Sequence, residues 1–94
     1  MAGFETSERV RRRVGLQRLA GLLEELRRFG QLRERRPGDF HVGTRPVLHF
    51  HYHADGSIVA DVRLSKHGIE HFDVSDTAGQ YELLAAVEEH LRHV

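Results

Sequence analysis

The feature that most constrains the fold is a change in the spacing of apolar residues along the chain. Between residues 7 and 30, apolar side chains recur every three or four positions, as in a helix with one buried face. From residue 40 to residue 74 they recur every second position, which is typical of strands. Helical spacing returns after Thr77. The order predicts an α+β domain, a two-layer sandwich of an N-terminal helix, a four-stranded antiparallel meander and a C-terminal helix.

The length of 94 residues favours one domain over residues 1–94, with residues 1–6 flexible. The absence of cysteine excludes disulfides and thiolate chemistry, and it is typical of a cytoplasmic protein. No apolar run approaches the length of a membrane span, so we predict no membrane partner. A core this small favours self-association, and we therefore predict a homodimer.

The limits of the elements follow from local signals. Ser7 is a suitable N-cap for the first helix, and Gly30 follows its last apolar residue. Gly15 and Gly21 within this helix mark either a close backbone approach or a weak first turn. Residues 31–38 are polar and end in Pro-Gly, which predicts a loop. The last helix is predicted to begin with Thr77 as the N-cap of a capping box.

Turn chemistry sets the register of the sheet. Residues 54–56 suit a three-residue hairpin loop, which places His49 opposite Asp61. A loop of the same length at residues 66–68 places Asp61 opposite Asp73, and one at residues 44–46 places His41 opposite His49. The three loops together predict a row of His41, His49, Asp61 and Asp73 on the face of the sheet away from the core.

This row is a candidate metal site because imidazole and carboxylate are ligands for zinc, iron(II), manganese and nickel. The candidate ligands are His41, His49, Asp61, His51, His71 and Asp73. Two alternatives remain open, since histidine–aspartate pairs also stabilise sheets and an oriented histidine can act as a general base. No nucleophile or phosphate-binding loop accompanies the histidines, so the pattern favours a binding protein over an enzyme.

The first 36 residues carry ten arginines against five glutamates, and the rest of the chain is acidic. Arg11, Arg12 and Arg13 are therefore candidate partner-binding residues for an acidic protein or, less readily, for nucleic acid. The alternative is a solvated helix face that attracts the acidic half of its own fold. A leucine stripe at residues 16, 19, 23 and 26 packs either on its own sheet or in a dimer seam.

Residues 45–64 read Arg-Pro-Val-Leu-His-Phe-His and continue through Ala-Asp-Gly to Ala-Asp-Val-Arg-Leu. This segment resembles a stretch found in small uncharacterised bacterial proteins. The element at residues 51–56 is more distantly similar to the H-x-H-x-D-G element of luciferase-like domains. The resemblance implies a bacterial cytoplasmic α+β protein and assigns no catalytic residue or cofactor.

Two functions follow from the sequence. The first is a metal- or small-ligand-binding module, whose cofactor would be a divalent metal ion. The second is a non-enzymatic interaction protein, a homodimer or adaptor whose arginine-rich helix contacts an acidic partner or nucleic acid.

Overall fold

The computed structural model describes residues 7–92, so the predicted flexibility of residues 1–6 lies outside the described part. Within this range the elements are α1 (Glu8–Arg18), α2 (Ala20–Arg27), β1 (Arg33–Arg36), β2 (Asp39–Val42), β3 (Arg45–Tyr52), β4 (Ile58–Ser65), β5 (Gly68–Asp73) and α3 (Thr77–Arg92). The strands form one antiparallel sheet in chain order. The predicted α+β fold is confirmed, with five strands between residues 7 and 92 rather than four.

The N-terminal helix is two helices rather than one. The Ser7 side chain caps α1 by accepting a hydrogen bond from the backbone N–H of Val10, as the sequence predicted. Leu19 separates α1 from α2 with φ −92° and ψ 7°, outside regular helical geometry. The side chain of Leu19 is nevertheless only 1% exposed. The break therefore occurs at a core residue.

The prediction of a loop over residues 31–38 is wrong, because residues 33–36 form the edge strand β1. Its sequence, Arg-Glu-Arg-Arg, has no alternation of apolar and polar residues that could reveal a strand. β1 is held by pairing with β2 through a turn at Pro37 and Gly38, where Gly38 takes φ +83°. A charged edge strand also discourages pairing with the sheet of another molecule.

The helices cover one face of the sheet and the core lies between the two layers. The helices and strands both contribute to one buried cluster, whose members are Leu19, Leu22, Leu23, Leu26, Phe40, Val47, Leu48, Phe50, Ile58, Ala60, Val62, Val74, Leu83, Val87 and Leu91. Most of the leucine stripe therefore packs within the chain's own core. The opposite face of the sheet, called the outer face below, carries the histidines of β3.

The N-cap of α3 is Asp76 rather than the predicted Thr77. An Asp76 carboxylate oxygen accepts a hydrogen bond from the backbone N–H of Gly79 at 2.8 Å. The difference is one residue, because aspartate and threonine are both good caps and only the backbone direction distinguishes them.

Candidate metal centre

The β3–β4 hairpin brings the first two site residues together. Its register pairs His49 with Asp61 and Tyr52 with Ile58, and both pairs are as predicted. The three-residue loop holds because Gly56 takes φ +91°, the left-handed conformation that this loop needs. Both side chains lie on the outer face. His51 lies on the same face two residues further along β3, at a diagonal from which its ring reaches Asp61.

The β4–β5 hairpin differs from the prediction and supplies a further histidine. Ser65 pairs with Gly68, so the loop has two residues instead of three, and Asp61 lies opposite His71. The prediction that Asp61 faces Asp73 is therefore wrong. Asp73 lies opposite Val59 instead, and its carboxylate accepts the backbone N–H of Ser75 at 2.9 Å. The observed register replaces a repulsive pair with an attractive one.

The predicted pairing of His41 with His49 is also wrong. The β2–β3 loop again has two residues, and His41 lies opposite Pro46. A bulge at Val47 shifts the register, which is why Val47 and Leu48 are both buried although they are neighbours. His41 is displaced along the sheet from His49. Within the described residues its Nδ1 atom is buried without a hydrogen-bond partner.

Three atoms that could ligate a metal ion converge on the outer face. His51 Nε2 lies 2.7 Å from Asp61 Oδ2, His49 Nε2 lies 3.5 Å from the same oxygen, and the two ring nitrogens are 3.2 Å apart. Among residues 7–92, these three form the one group of histidine and acidic residues close enough to share a metal ion. The Asp61 side chain is 13% exposed, whereas about half of each ring faces solvent. The group is open on one side.

Hydrogen bonds alone cannot satisfy all three contacts. Each ring nitrogen either donates or accepts, depending on the tautomer, whereas the oxygen of the ionised carboxylate only accepts. Among three mutual neighbours, two must therefore be of the same kind and repel each other. A cation bound by all three lone pairs removes this repulsion.

The Asp61 carboxyl group is held in its ionised form. Partial burial raises its pKa, but hydrogen bonds from His51 and His71 and the charges of these rings outweigh burial and lower the pKa below its ordinary value. His71 Nδ1 lies 2.7 Å from Asp61 Oδ1. This contact fixes the carboxylate so that its other oxygen faces His49 and His51, an orienting role that is common around metal ligands.

Two of the three distances, 3.2 Å between the ring nitrogens and 3.5 Å from His49 to Asp61, match the spacing of ligands around a small divalent ion, and the 2.7 Å hydrogen bond between His51 and Asp61 would lengthen on binding. Zinc lies about 2.1 Å from nitrogen and oxygen ligands, which places tetrahedral donors about 3.4 Å apart. His49 Nε2, His51 Nε2 and Asp61 Oδ2 would be the atoms that hold such an ion. Two imidazoles and one carboxylate with an open position could hold zinc, iron(II) or manganese.

The three candidate partner-binding arginines have different surroundings. Arg11 Nε donates to the backbone carbonyl of Tyr52 at 3.1 Å, and Arg12 donates to that of Pro37. These two side chains hold α1 to loops and strands of its own fold. The Arg13 residue is exposed. Only part of the run therefore points away from the protein, a distinction that the sequence did not reveal.

Comparison with known proteins identifies no relative, since no family model, curated protein or solved structure matches the chain. The resemblance of residues 45–64 stays a prediction. Within residues 7–92, no helix has the length and apolar character to cross a membrane.

Proposed function

We propose that this protein is a metal-binding module that holds one divalent ion at His49, His51 and Asp61. The observation that carries the proposal is the convergence of two imidazole nitrogens and one carboxylate oxygen within 3.5 Å of one another. His71 is a positioning residue, because it binds the carboxylate oxygen that does not face the ion. His41 and Asp73 are outside the proposed ligand set.

Native mass spectrometry tests the proposal directly. Protein without a histidine tag is treated with EDTA, exchanged into metal-free buffer and mixed with zinc, manganese or iron(II) in separate samples. We expect one bound ion per chain in the wild type. The ion should be lost in His49→Ala and in Asp61→Asn, which removes the charge with little change in size.

His53→Ala is the matched control. His53 continues the alternation of imidazoles along the chain, but it lies outside the group of converging donors. This variant should keep the ion. Loss of the ion in His53→Ala, or its retention in His49→Ala, would contradict the assignment of the ion to His49, His51 and Asp61. Far-ultraviolet circular dichroism establishes that each variant is folded.

The positioning role of His71 predicts an intermediate result. His71→Ala leaves all three ligands in place but releases the carboxylate of Asp61, so we expect a metal affinity lower by about tenfold or more. A competition titration against a zinc chelator measures this change. An unchanged affinity would mean that the contact between His71 and Asp61 does not orient the ligand.

The alternative proposal is an interaction protein that uses the outer face or the arginine-rich helix. The supporting observation is that the helices pack on the opposite face of the sheet, which leaves the histidine-bearing face exposed to a partner. The same mass spectra test it, because a dimer whose population rises with protein concentration and contains no metal would favour this alternative.

A further inference from the structure

A second candidate site lies on the sheet beyond the histidines, at the end where β3 begins and β4 turns into β5. A cavity of about 290 Å³ is present there, and its lining includes Arg45, Arg63 and Lys66. No carboxylate from residues 7–92 lines this cleft. Three formal positive charges therefore border one small space.

The three cations of this cleft are not used by the fold. Within the described range of the chain, none of their side chains has a hydrogen-bond or ion-pair partner. Other arginines behave differently, since Arg18 donates to two backbone carbonyls and Arg27 pairs with Glu34. Unpaired like charges around one cavity repel each other, and a bound anion would relieve the repulsion.

Irregularities of the sheet create this arrangement. The register between β4 and β5 shifts between Val62 and Ser65, so Arg63 and Leu64 together oppose the single residue Ile69. A bulge of this kind turns side chains away from their regular direction and is common beside binding sites. The bulge at Val47 lies near the start of β3, close to Arg45. Both irregularities therefore adjoin the cationic cleft.

The cleft also offers a neutral donor and some apolar surface. The hydroxyl oxygen of Ser65 accepts the backbone N–H of His67 at 3.0 Å, which leaves its own proton available to an anion. Pro46 and the exposed side chain of Ile69 complete one wall. Two arginines, a lysine and a hydroxyl are the side chains that commonly bind phosphate oxygens.

We propose that this cleft binds the phosphate group of a small molecule. Phosphate is favoured over carboxylate because three cations compensate a dianion better than a monoanion. The site is distinct from the metal centre, although Arg63 follows Asp61 by two residues on β4, a separation of about 7 Å. A ligand held here by its phosphate would lie beside the open side of the histidine cluster.

The test uses metal-free protein, so that its outcome is independent of the metal centre. Untagged protein in EDTA and low-salt buffer is titrated with inorganic phosphate and followed by two-dimensional amide NMR. We expect saturable shifts of the backbone amides at residues 63–69. Acetate should bind more weakly than phosphate. Phenyl phosphate then distinguishes a free phosphate from an ester, because only the ester can contact Pro46 and Ile69.

Variants assign the binding to the cleft. Arg63→Gln removes one charge and should weaken phosphate binding about three- to fivefold, and a double variant with Arg45→Gln should weaken it about tenfold or more. Arg35→Gln is the control, since Arg35 is an exposed arginine of the edge strand and lies outside the cleft. Its phosphate affinity should equal that of the wild type.

Several results would overturn the proposal. One is the absence of saturable shifts, and another is equal weakening by Arg35→Gln and Arg63→Gln. Equal affinity for acetate and phosphate would refute the assignment to a phosphate group. A single-stranded oligonucleotide that binds more tightly than phosphate and depends equally on Arg13 would replace the small-molecule site with a nucleic-acid surface.

Discussion

The packing of α1 on the sheet can be tested at Gly15, where the helix backbone approaches the ring of Tyr52. A β-carbon at this position would lie 2.1 Å from Tyr52 Cδ1 and 2.4 Å from Cε1. Normal carbon–carbon contacts need about 3.5 Å or more, so in Gly15→Ala the ring must move by more than about 1 Å. The backbone carbonyl of Tyr52 accepts a hydrogen bond from Arg11 at 3.1 Å, which limits how far Tyr52 can move.

The magnitude follows from two opposing effects. Overpacking a well-filled site costs about 1–3 kcal/mol of the free energy of unfolding. Alanine recovers up to about 1 kcal/mol through its better helix propensity. With the full offset from helix propensity, we therefore expect Gly15→Ala to destabilise the protein by up to about 2 kcal/mol. For a domain of this size, the melting temperature should fall by up to roughly 16 °C.

Gly21→Ala is the matched control in the neighbouring helix. A β-carbon there would meet no atom within 4 Å, so only the helix propensity changes. This variant should gain up to about 1 kcal/mol. Urea denaturation followed by circular dichroism measures both variants. If Gly15→Ala were as stable as Gly21→Ala, the packing of α1 against Tyr52 would be refuted.

Three further predictions concern single side chains. Burial raises the pKa of Tyr52 to about 12, so in a Tyr81→Phe background the tyrosinate absorbance should appear well above its ordinary pH range, and a midpoint near pH 10 would contradict the burial of the ring. A hydrogen bond from Arg27 lowers the pKa of Glu34, so its stabilising effect is present above the ordinary glutamate pKa and is lost as the pH falls through the lowered value. Glu34→Gln should therefore be less stable than wild type at neutral pH by less than about 1 kcal/mol, because Arg27 is 46% exposed, and this difference should vanish in acid denaturation curves. Asp76→Ala removes the cap of α3 and should cost about 1 kcal/mol in urea denaturation, whereas a loss near zero would mean that the cap is not formed in solution.

The candidate metal site was only partly predictable from the sequence, and the pairing of His49 with Asp61 shows why one part of it was predicted correctly. The sequence at residues 54–56 allows one good loop, and the alternation of side chains in both flanking strands agrees with it. Two independent constraints therefore set the pairing of His49 with Asp61. His51 was a candidate ligand because of its place on the same face, and the structure adds that its ring reaches Asp61 at a diagonal.

The other two hairpins lacked that agreement. The Lys66-His67-Gly68 segment fits a loop of two residues or of three. Gly68 takes φ +112°, a conformation that either loop can use at this position. A bulge in β4 then compensates the shift, so that the apolar residues stay on the core side. Alternation cannot distinguish a bulged register from a regular one when both bury the same side chains. The choice places His71, and not Asp73, beside Asp61.

The sequence by itself determined the order of helix, sheet and helix, the apolar faces of the helices and of the central strands, and the histidines of β3 on the outer face. These depend on periodicities that each segment carries alone. Tertiary structure decided the fifth strand, the convergence of His49, His51 and Asp61, and the grouping of Arg45, Arg63 and Lys66. These depend on where bulges fall and on which strands become neighbours. The physical reason is that a bulge is selected by the packing of the whole sheet, whereas a helical or strand period is written in consecutive residues.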